Sequence, residues 1–246
     1  FAGATSLAAV GSTGALVNLL INLFMGVSVG CNVLVARFYG ARNDRAVSET
    51  VHCAVGASAI IGLLAGAVGL IFSTPLLRLM GSPEDVLPLA SLYLKIYFCG
   101  MPANIIYNFG AAVLRADGDT KRPLIFLSIS GVVNVILNLV LVIVFKLDVA
   151  GVAIATDVSQ YVSLVLLLRC LMREQGWCRV EFKKLRLDGR DALRMIQIGL
   201  PAGLQSVIFN ISNVMIQSAV NSFGSTVIAA NTAAGNLNNF SYTAMN

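Results

Sequence analysis

Long apolar runs broken by short polar clusters set the pattern of this chain. A hydrocarbon layer about 30 Å thick takes about 20 apolar helical residues to cross. Seven stretches qualify: 16–35, 51–72, 87–114, 123–145, 149–168, and two that share 195–246, a run with no charged residue. Ser222, Phe223, Gly224 and Ser225 predict the turn between those last two. Helices are predicted rather than barrel strands, because each run is continuously apolar and a barrel strand alternates over about ten residues. Only two charges lie well inside a run, Lys95 in the third and Asp157 in the fifth.

The polar clusters between the runs differ in sign by side. Arg37, Arg42 and Arg45 follow the first run, and Arg115, Lys121 and Arg122 follow the third. Arg169, Arg173, Arg179, Lys183, Lys184, Arg186, Arg190 and Arg194 follow the fifth, making 14 basic residues on one side. The other side has Arg78 and Lys146. Cytoplasmic loops carry the excess of Lys and Arg, which places 37–50, 115–122 and 169–194 in the cytoplasm and Phe1 outside. Segment 169–194 holds 12 charged residues in 26 and is expected to be a cytoplasmic connector, with 179–187 along the membrane surface.

Composition agrees with this pattern and excludes its rivals. Of 246 residues, 57% are hydrophobic and 12% charged, against about 25% charged in a soluble domain. Mean hydropathy is +0.81. A soluble enzyme and a disordered chain are both excluded. Five cysteines, an odd and sparse number, do not make a secreted disulfide scaffold. The net charge of +5 sits at the ends of apolar runs beside a single Trp, so nucleic acid is not an expected partner. His52 is the only histidine, and no spacing of metal ligands or triad residues occurs. No enzyme activity, metal or cofactor is expected. The class that remains is an all-α membrane protein, a polytopic helical bundle in the plasma membrane.

The chain also repeats itself. At a shift of 221 residues, Gly3, Thr5, Ala8, Ala9, Gly14, Leu16 and Asn18 match Gly224, Thr226, Ala229, Ala230, Gly235, Leu237 and Asn239. The shift spans an even number of helices, so both copies run in the same direction, as in transporters with parallel repeats. The repeat predicts a parent of about twice this unit. It also predicts one helix before Phe1, where no initiator Met or signal peptide stands.

Four loop motifs then carry a family resemblance. The stretch Leu114, Arg115, Ala116, Asp117, Gly118, Asp119, Thr120, with Pro123, resembles a loop of the multidrug and toxic compound extrusion (MATE) family. Gly151 through Thr156 is similar to a helix entry of that family, Gly40-Ala41-Arg42 to its loop after the second helix, and Gly199-Leu200-Pro201 to the start of its seventh. The order and spacing agree over essentially the whole chain, as helices two to eight of twelve. The resemblance implies two six-helix lobes: 1–168 as the amino-terminal lobe without its first helix, 169–194 as connector, and 195–246 as the start of the second lobe. The motifs also have local readings. Gly118 is expected at positive φ, Thr120 as a cap, Pro123 in the next first turn, and Arg115 at a helix C-terminus. Gly151 and Ala155 let helices approach closely.

Charges and amides inside spans are the candidate functional groups. Asp157 reads as a cation or proton site, or as a carboxylate paired with Lys95. Amides stand one turn apart at Asn18 and Asn22, Asn104 and Asn108, and Asn134 and Asn138. Gln205 lies on the seventh-helix run, and Asn210, Asn213, Gln217 and Asn221 form a stripe there. Such faces line a polar cavity or serve as interhelical hydrogen-bond glue. Asn104, Asn108, Gln205, Asn210, Asn213 and Gln217 are the expected substrate-cavity residues. The resemblance implies a cation site built from an Asp on helix one, an Asn and an Asp on helix five, and a Thr on helix six. Asn134 and Thr156 match, whereas Asn138 stands where the second carboxylate is expected. An amide cannot release a proton, so position 138 is compatible with sodium and not with proton transfer. The expected set is Asn134, Asn138 and Thr156 facing one another, with Asp157 near the cavity but about 100° from Thr156.

The resulting expectation is a secondary active antiporter, a monomer, exporting organic and chiefly cationic small molecules in exchange for Na+ or H+. A lipid-linked precursor flippase of the same superfamily is the nearest alternative, although its cavity would be basic and these spans hold only Lys95. A seven-helix receptor or retinal protein has no place for the repeat, and 195–246 offers no Schiff-base Lys.

Overall fold

The computed structural model describes residues 3–174, 177–181, 185 and 188–245, and only the backbone at 3–4, 209 and 239–245. Seven α-helices follow in order among the described residues: α1 (Gly3–Gly40), α2 (Asp44–Leu79), α3 (Leu87–Ala116), α4 (Lys121–Leu139), α5 (Asp148–Arg173), α6 (Gly189–Asn221) and α7 (Ser225–Met245). A π-turn, Val140–Val144, widens the end of α4. The runs 16–35, 51–72, 87–114 and 149–168 each fall within one helix, 123–145 runs through α4 and the π-turn to Phe145, and 195–246 divides at Gly224, which has φ +89°. The helices are longer than the apolar runs. At 1.5 Å per residue the 38 residues of α1 extend about 57 Å, well past the hydrocarbon.

Polar residues, not a change in hydrophobicity, end these helices. Asn43 caps α2 by accepting from the Ala46 N–H at 3.1 Å. Asp188 caps α6, accepting from the Arg190 N–H at 2.9 Å, so that helix begins inside the expected connector. Between α3 and α4, Gly118 takes φ +88° as expected. Thr120 makes no side-chain cap there. Asp119 does so instead: its Oδ1 accepts from the backbone N–H groups of Lys121 and Arg122, each at 3.1 Å. A carboxylate at a helix N-terminus meets both the orphan donors and the positive end of the dipole, and this is why it displaces the hydroxyl. Of the expected surface stretch 179–187, only 179–181 and 185 are described. Val180 in it is buried, and its N–H donates to Leu171 at 3.1 Å.

Glycines set the close crossings. A Cβ at Gly62 would stand 2.7 Å from Pro102 Cα, and one at Gly66 2.9 Å from the Phe98 carbonyl oxygen. Pro102 lacks an N–H, so Phe98 O has no intrahelical donor at this point. On the other side of the bundle Gly26 of α1 faces Gly203 of α6, and Gly30 faces Gly199. Gly11 meets Thr232 of α7, where a Cβ would lie 1.8 Å from its Oγ1. Gly11 and Thr232 are one repeat apart, and Ala8 and Ala229, separated by the same shift, share one buried cluster. Equivalent positions meet in this way where a two-fold axis passes between two parallel copies.

The core divides into two clusters, one around Leu34, Val51, Ile105, Phe109 and Leu167, the other around Val17, Leu77, Leu94, Phe98 and Val149. Leu124, Val132, Val135 and Ile136 of α4 are exposed, as on a face turned to lipid. The three basic segments gather at one end. There Arg122 pairs with Asp119 and Glu174, Thr50 donates to Asp191 at 3.3 Å, and His52 Nε2 accepts from the Glu181 N–H at 3.0 Å. Tyr39 packs on Trp177 with ring centroids 4.6 Å apart. At the other end Ser6 donates to Asp148 at 2.7 Å and Asn221 to the Met80 carbonyl at 3.1 Å.

Candidate functional site

The α4–α5 seam carries the polar residues expected of an ion site. Asn134 and Asn138 are one turn apart on α4, and both are half-buried toward α5. Asn138 Nδ2 donates to Asn134 Oδ1 at 3.0 Å. Asn134 Nδ2 in turn points at Thr156 Oγ1 and Ser159 Oγ, at 3.5 and 3.4 Å. Thr156 and Ser159 are fixed by their own helix, donating to Val152 O at 2.9 Å and Thr156 O at 2.7 Å. Ser130 completes the seam by donating to the Ser159 carbonyl. Asn134, Asn138 and Thr156 thus come together as the sequence pattern predicts.

Two features of this seam were outside that prediction. Ser159 joins it because it lies three residues after Thr156 on the same face, a spacing that marks it in retrospect. The Asn138 Oδ1 atom is buried with no hydrogen-bond partner. A buried unpaired carbonyl oxygen is uncommon and demands a ligand or an explanation. A neutral carbonyl oxygen of this kind suits a hard cation, which takes oxygen ligands, and the Asn134, Thr156 and Ser159 oxygens lie along the same seam.

Asp157 does not belong to this group. It is turned to α3, where a Cβ at Gly100 would stand 2.3 Å from its Oδ1. It is not a direct fourth member of the Asn134, Asn138 and Thr156 set, as expected from the turn of about 100° between adjacent helical residues, and its carboxyl meets a different neighbour. The pairing with Lys95 is not formed either, since Lys95 is exposed and Asp157 buried.

The six expected cavity amides engage mostly their own helices. Asn108 Nδ2 donates to Asn104 O at 2.8 Å and Asn104 Oδ1 at 3.0 Å. Asn210 donates to Ser206 O at 2.7 Å, and Gln217 to Asn221 at 3.0 Å. Gln205 and Asn213 are exposed. A hollow between α1, α2 and α3 is instead apolar, lined by Leu20, Phe24, Leu64, Phe72, Phe98 and Met101 among others. The three segments thought to be cytoplasmic contain the Asp119–Arg122–Glu174 cluster, in which burial pushes the Asp117 carboxyl up, Glu174 and Asp119 adding to it. Burial would raise Asp119 too, but its hydrogen bonds from Arg122 outweigh this and hold it below the ordinary carboxylate range.

A helical bundle of apolar spans, with its basic loops at one end, is the architecture of a multi-pass membrane protein. The MatE family profile matches residues 1–140. A probable multidrug resistance protein, YoeA of Bacillus subtilis, is 30% identical over 237 residues, which cover 93% of this chain and 51% of the relative. A FAD transporter of Shewanella oneidensis is 26% identical over 237 residues, 93% of this chain and 51% of its own. The multidrug export protein MepA of Staphylococcus aureus is 25% identical over 209 residues, 85% of this chain and 46% of its own. Among solved structures, an inward-facing multidrug resistance MATE family transporter of the MOP superfamily superposes with TM-score 0.87 at 24% identity, over 95% of this chain and 54% of that one. A MOP superfamily transporter from Pyrococcus furiosus, described as having a binding pocket of reverse polarity, gives 0.82 at 24% identity, over 96% and 53%.

The chain belongs to the MatE family of multidrug and toxic compound extrusion transporters. It is a multi-pass protein of the cell membrane, and it spans about half the length of the curated relatives it matches.

Proposed function

We propose that the protein is a secondary active antiporter that exports organic, chiefly cationic small molecules in exchange for Na+ or H+, with no resident cofactor. In this reading it acts as a monomer, residues 1–168 belong to one lobe, and 195–246 begin a second. The observation that carries the exchange reading is the unpartnered Asn138 Oδ1, on the seam where Asn138 donates to Asn134 and Asn134 in turn meets Thr156 and Ser159. These groups hold no proton to give, so the ion they suit is Na+. Cationic substrates agree with apolar runs whose basic side chains number one, Lys95. A flippase of lipid-linked precursors would need basic groups along the same path.

The test is dye efflux driven by an imposed Na+ or proton gradient in vesicles that contain the full-length protein. Asn138→Ala and Thr156→Ala are expected to lower the Na+ response by about tenfold, the loss of one interaction of about 1.4 kcal/mol. A Na+ response unchanged from wild type in both variants, at equal expression, would reduce the seam to packing.

A further inference from the structure

Asn221 is the last residue of α6 and is 2% exposed. Its Nδ2 donates to the Met80 carbonyl at 3.1 Å and stands 3.5 Å from Ser82 Oγ. Its Oδ1 accepts from Gln217 Nε2 at 3.0 Å. Met80 is the C-cap of α2, and the last carbonyls of a helix have no partner within it. A side-chain amide of one helix therefore completes the end of another, 141 residues away in the chain.

This bond is the anchor of the outer half of α6. Gly203 is buried at the crossing with α1, and between Gly203 and Asn221 no described residue of α6 is buried. An apolar seal lies at the same end of the molecule, opposite the basic loops. Ile228 and Ala229 of α7 are buried in one cluster with Ala8 and Ala9 of α1 and Leu77 of α2. Thr232 meets Gly11 just beyond.

Past that level α7 parts from α1. Residues 233–238 are all exposed. On α1, Asn18, Met25 and Val29 continue the stripe of Gly11, since 11 and 29 are about five helical turns apart. All three are exposed. Among the described residues, the face that α7 covers at Gly11 is thus open from Asn18 to Val29. The contact is shut at one end and parted toward the other.

The chemistry of the shut end makes it a two-state element. While Asn221 meets Met80, the amide and the helix-end carbonyl are both satisfied. Pulled apart in a dry site, both would be buried and unpaired, which is costly. Water entering from that end can replace the bond. Breaking it and wetting the end are therefore one event.

We propose that Asn221 is a latch: its bond to Met80 holds the end opposite the basic loops shut, and the bond is broken in the state open at that end. The latch rests on the reading that 195–246 begin a second lobe, and it requires no particular coupling ion.

Two reporter cysteines test it in the purified full-length protein in lipid nanodiscs, with native cysteines replaced and no ion gradient. Ser12→Cys is nearly isosteric and sits at a buried site beside Gly11. Val29→Cys sits on the open stretch. When Asn221→Ala is added, a water-soluble maleimide should label Ser12→Cys about tenfold faster, the effect of losing one buried hydrogen bond. It should label Val29→Cys no faster. Asn221→Asp keeps the size and the acceptor for Gln217 but as a carboxylate offers Met80 no donor, so it should act in the same direction even if the alanine variant folds poorly. A merely loosened bundle would speed both reporters together, and that result would overturn the latch. An unchanged rate at Ser12→Cys in both variants would overturn it as well. Export assays keep the two readings apart. If Ser12→Cys is speeded alone and no ion gradient drives export in the wild type, the exchange reading fails and the latch stands. If Na+ drives export and Ser12→Cys is unchanged, the reverse holds.

Discussion

At the scale of single residues, the helix crossings are decided by where a side chain has no room. Gly26 of α1 packs against backbone: an added Cβ would stand 2.1 Å from Gly203 Cα and 2.3 Å from its N. Backbone cannot rotate away as a side-chain tip can, so Gly26→Ala forces α1 and α6 apart. Overpacking of this kind costs about 1–3 kcal/mol, and this site belongs at the upper end. Gly131 is the control. It is exposed in the interior of α4, and a Cβ there meets nothing within 4 Å. Gly131→Ala should stabilise α4 by about 0.5–1 kcal/mol, because it removes conformational freedom from the unfolded chain. The thermal unfolding midpoints of the two variants in detergent should therefore move in opposite directions. Similar effects on both would mean that the α1–α6 crossing yields easily. The same scale shows how a site can be half legible in a sequence. Asn134 and Asn138 pair by their one-turn spacing, whereas Thr156 was placed with them through the family resemblance and the short turn between α4 and α5. Asp157 was visible as a charge inside an apolar run, but its direction depends on which helix packs on which face of α5.

At the scale of elements, the α3–α4 connection shows how a loop motif acts through its carboxylates. Asp119 both caps α4 and pairs with Arg122. Asp119→Ala removes both and should cost about 1 kcal/mol, a typical loss for a cap. Asp119→Asn keeps the capping oxygen and loses the charge, so the difference between the two variants isolates the cap, and the difference between wild type and Asp119→Asn isolates the ion pair. That pair is half in water and is worth little by itself. The pH dependence has a definite sign. A carboxylate held below its ordinary range stabilises the fold above the unfolded value, about 3.9, and this stability is lost as pH falls through the folded value. Asp117 has the opposite sign. Burial raises it, so its contribution is present at low pH and is lost as pH rises through the folded value. Asp117→Asn should therefore raise the unfolding midpoint at neutral pH and do nothing in acid, which a midpoint series across pH reads out. The positions of the helices were legible from the apolar runs, and the Gly118 and Gly224 breaks from turn chemistry. Helix lengths were not. Beyond the hydrocarbon the chain stays helical wherever it is capped by Asn43 or Asp188, and hydropathy is silent about caps. Thr120 against Asp119 is the same lesson in small: both are good caps, and only geometry chooses.

At the scale of the molecule, two long-range statements of the sequence meet in the structure. The first is the 221-residue repeat, whose matched positions Gly11 and Thr232 touch and whose Ala8 and Ala229 share a core. Residues that far apart in the chain come together by symmetry, which no local pattern could predict. The second is the count of basic residues by side, whose three loops converge through Arg122–Glu174, Thr50–Asp191 and His52–Glu181 at one end. Convergence alone does not say which side of the membrane that end occupies, and the positive-inside rule assigns it to the cytoplasm. Lys184, the most obvious connector position to probe, lies outside the described residues. Arg45 and Glu84 serve instead. Both are exposed, Arg45 just after the first basic loop begins α2 and Glu84 in the connection from α2 to α3 at the opposite end. Arg45 pairs only with Glu49 one turn away, a surface contact of little energetic weight, so a cysteine there should leave the fold intact. In the full-length protein with its native cysteines replaced, a membrane-impermeant maleimide added to intact cells should label Glu84→Cys and leave Arg45→Cys unmodified until the cells are opened. The reverse labelling would invert the molecule in the membrane. It would also reverse the side from which an ion gradient reaches Asn138, and with it the direction of transport that the exchange reading predicts.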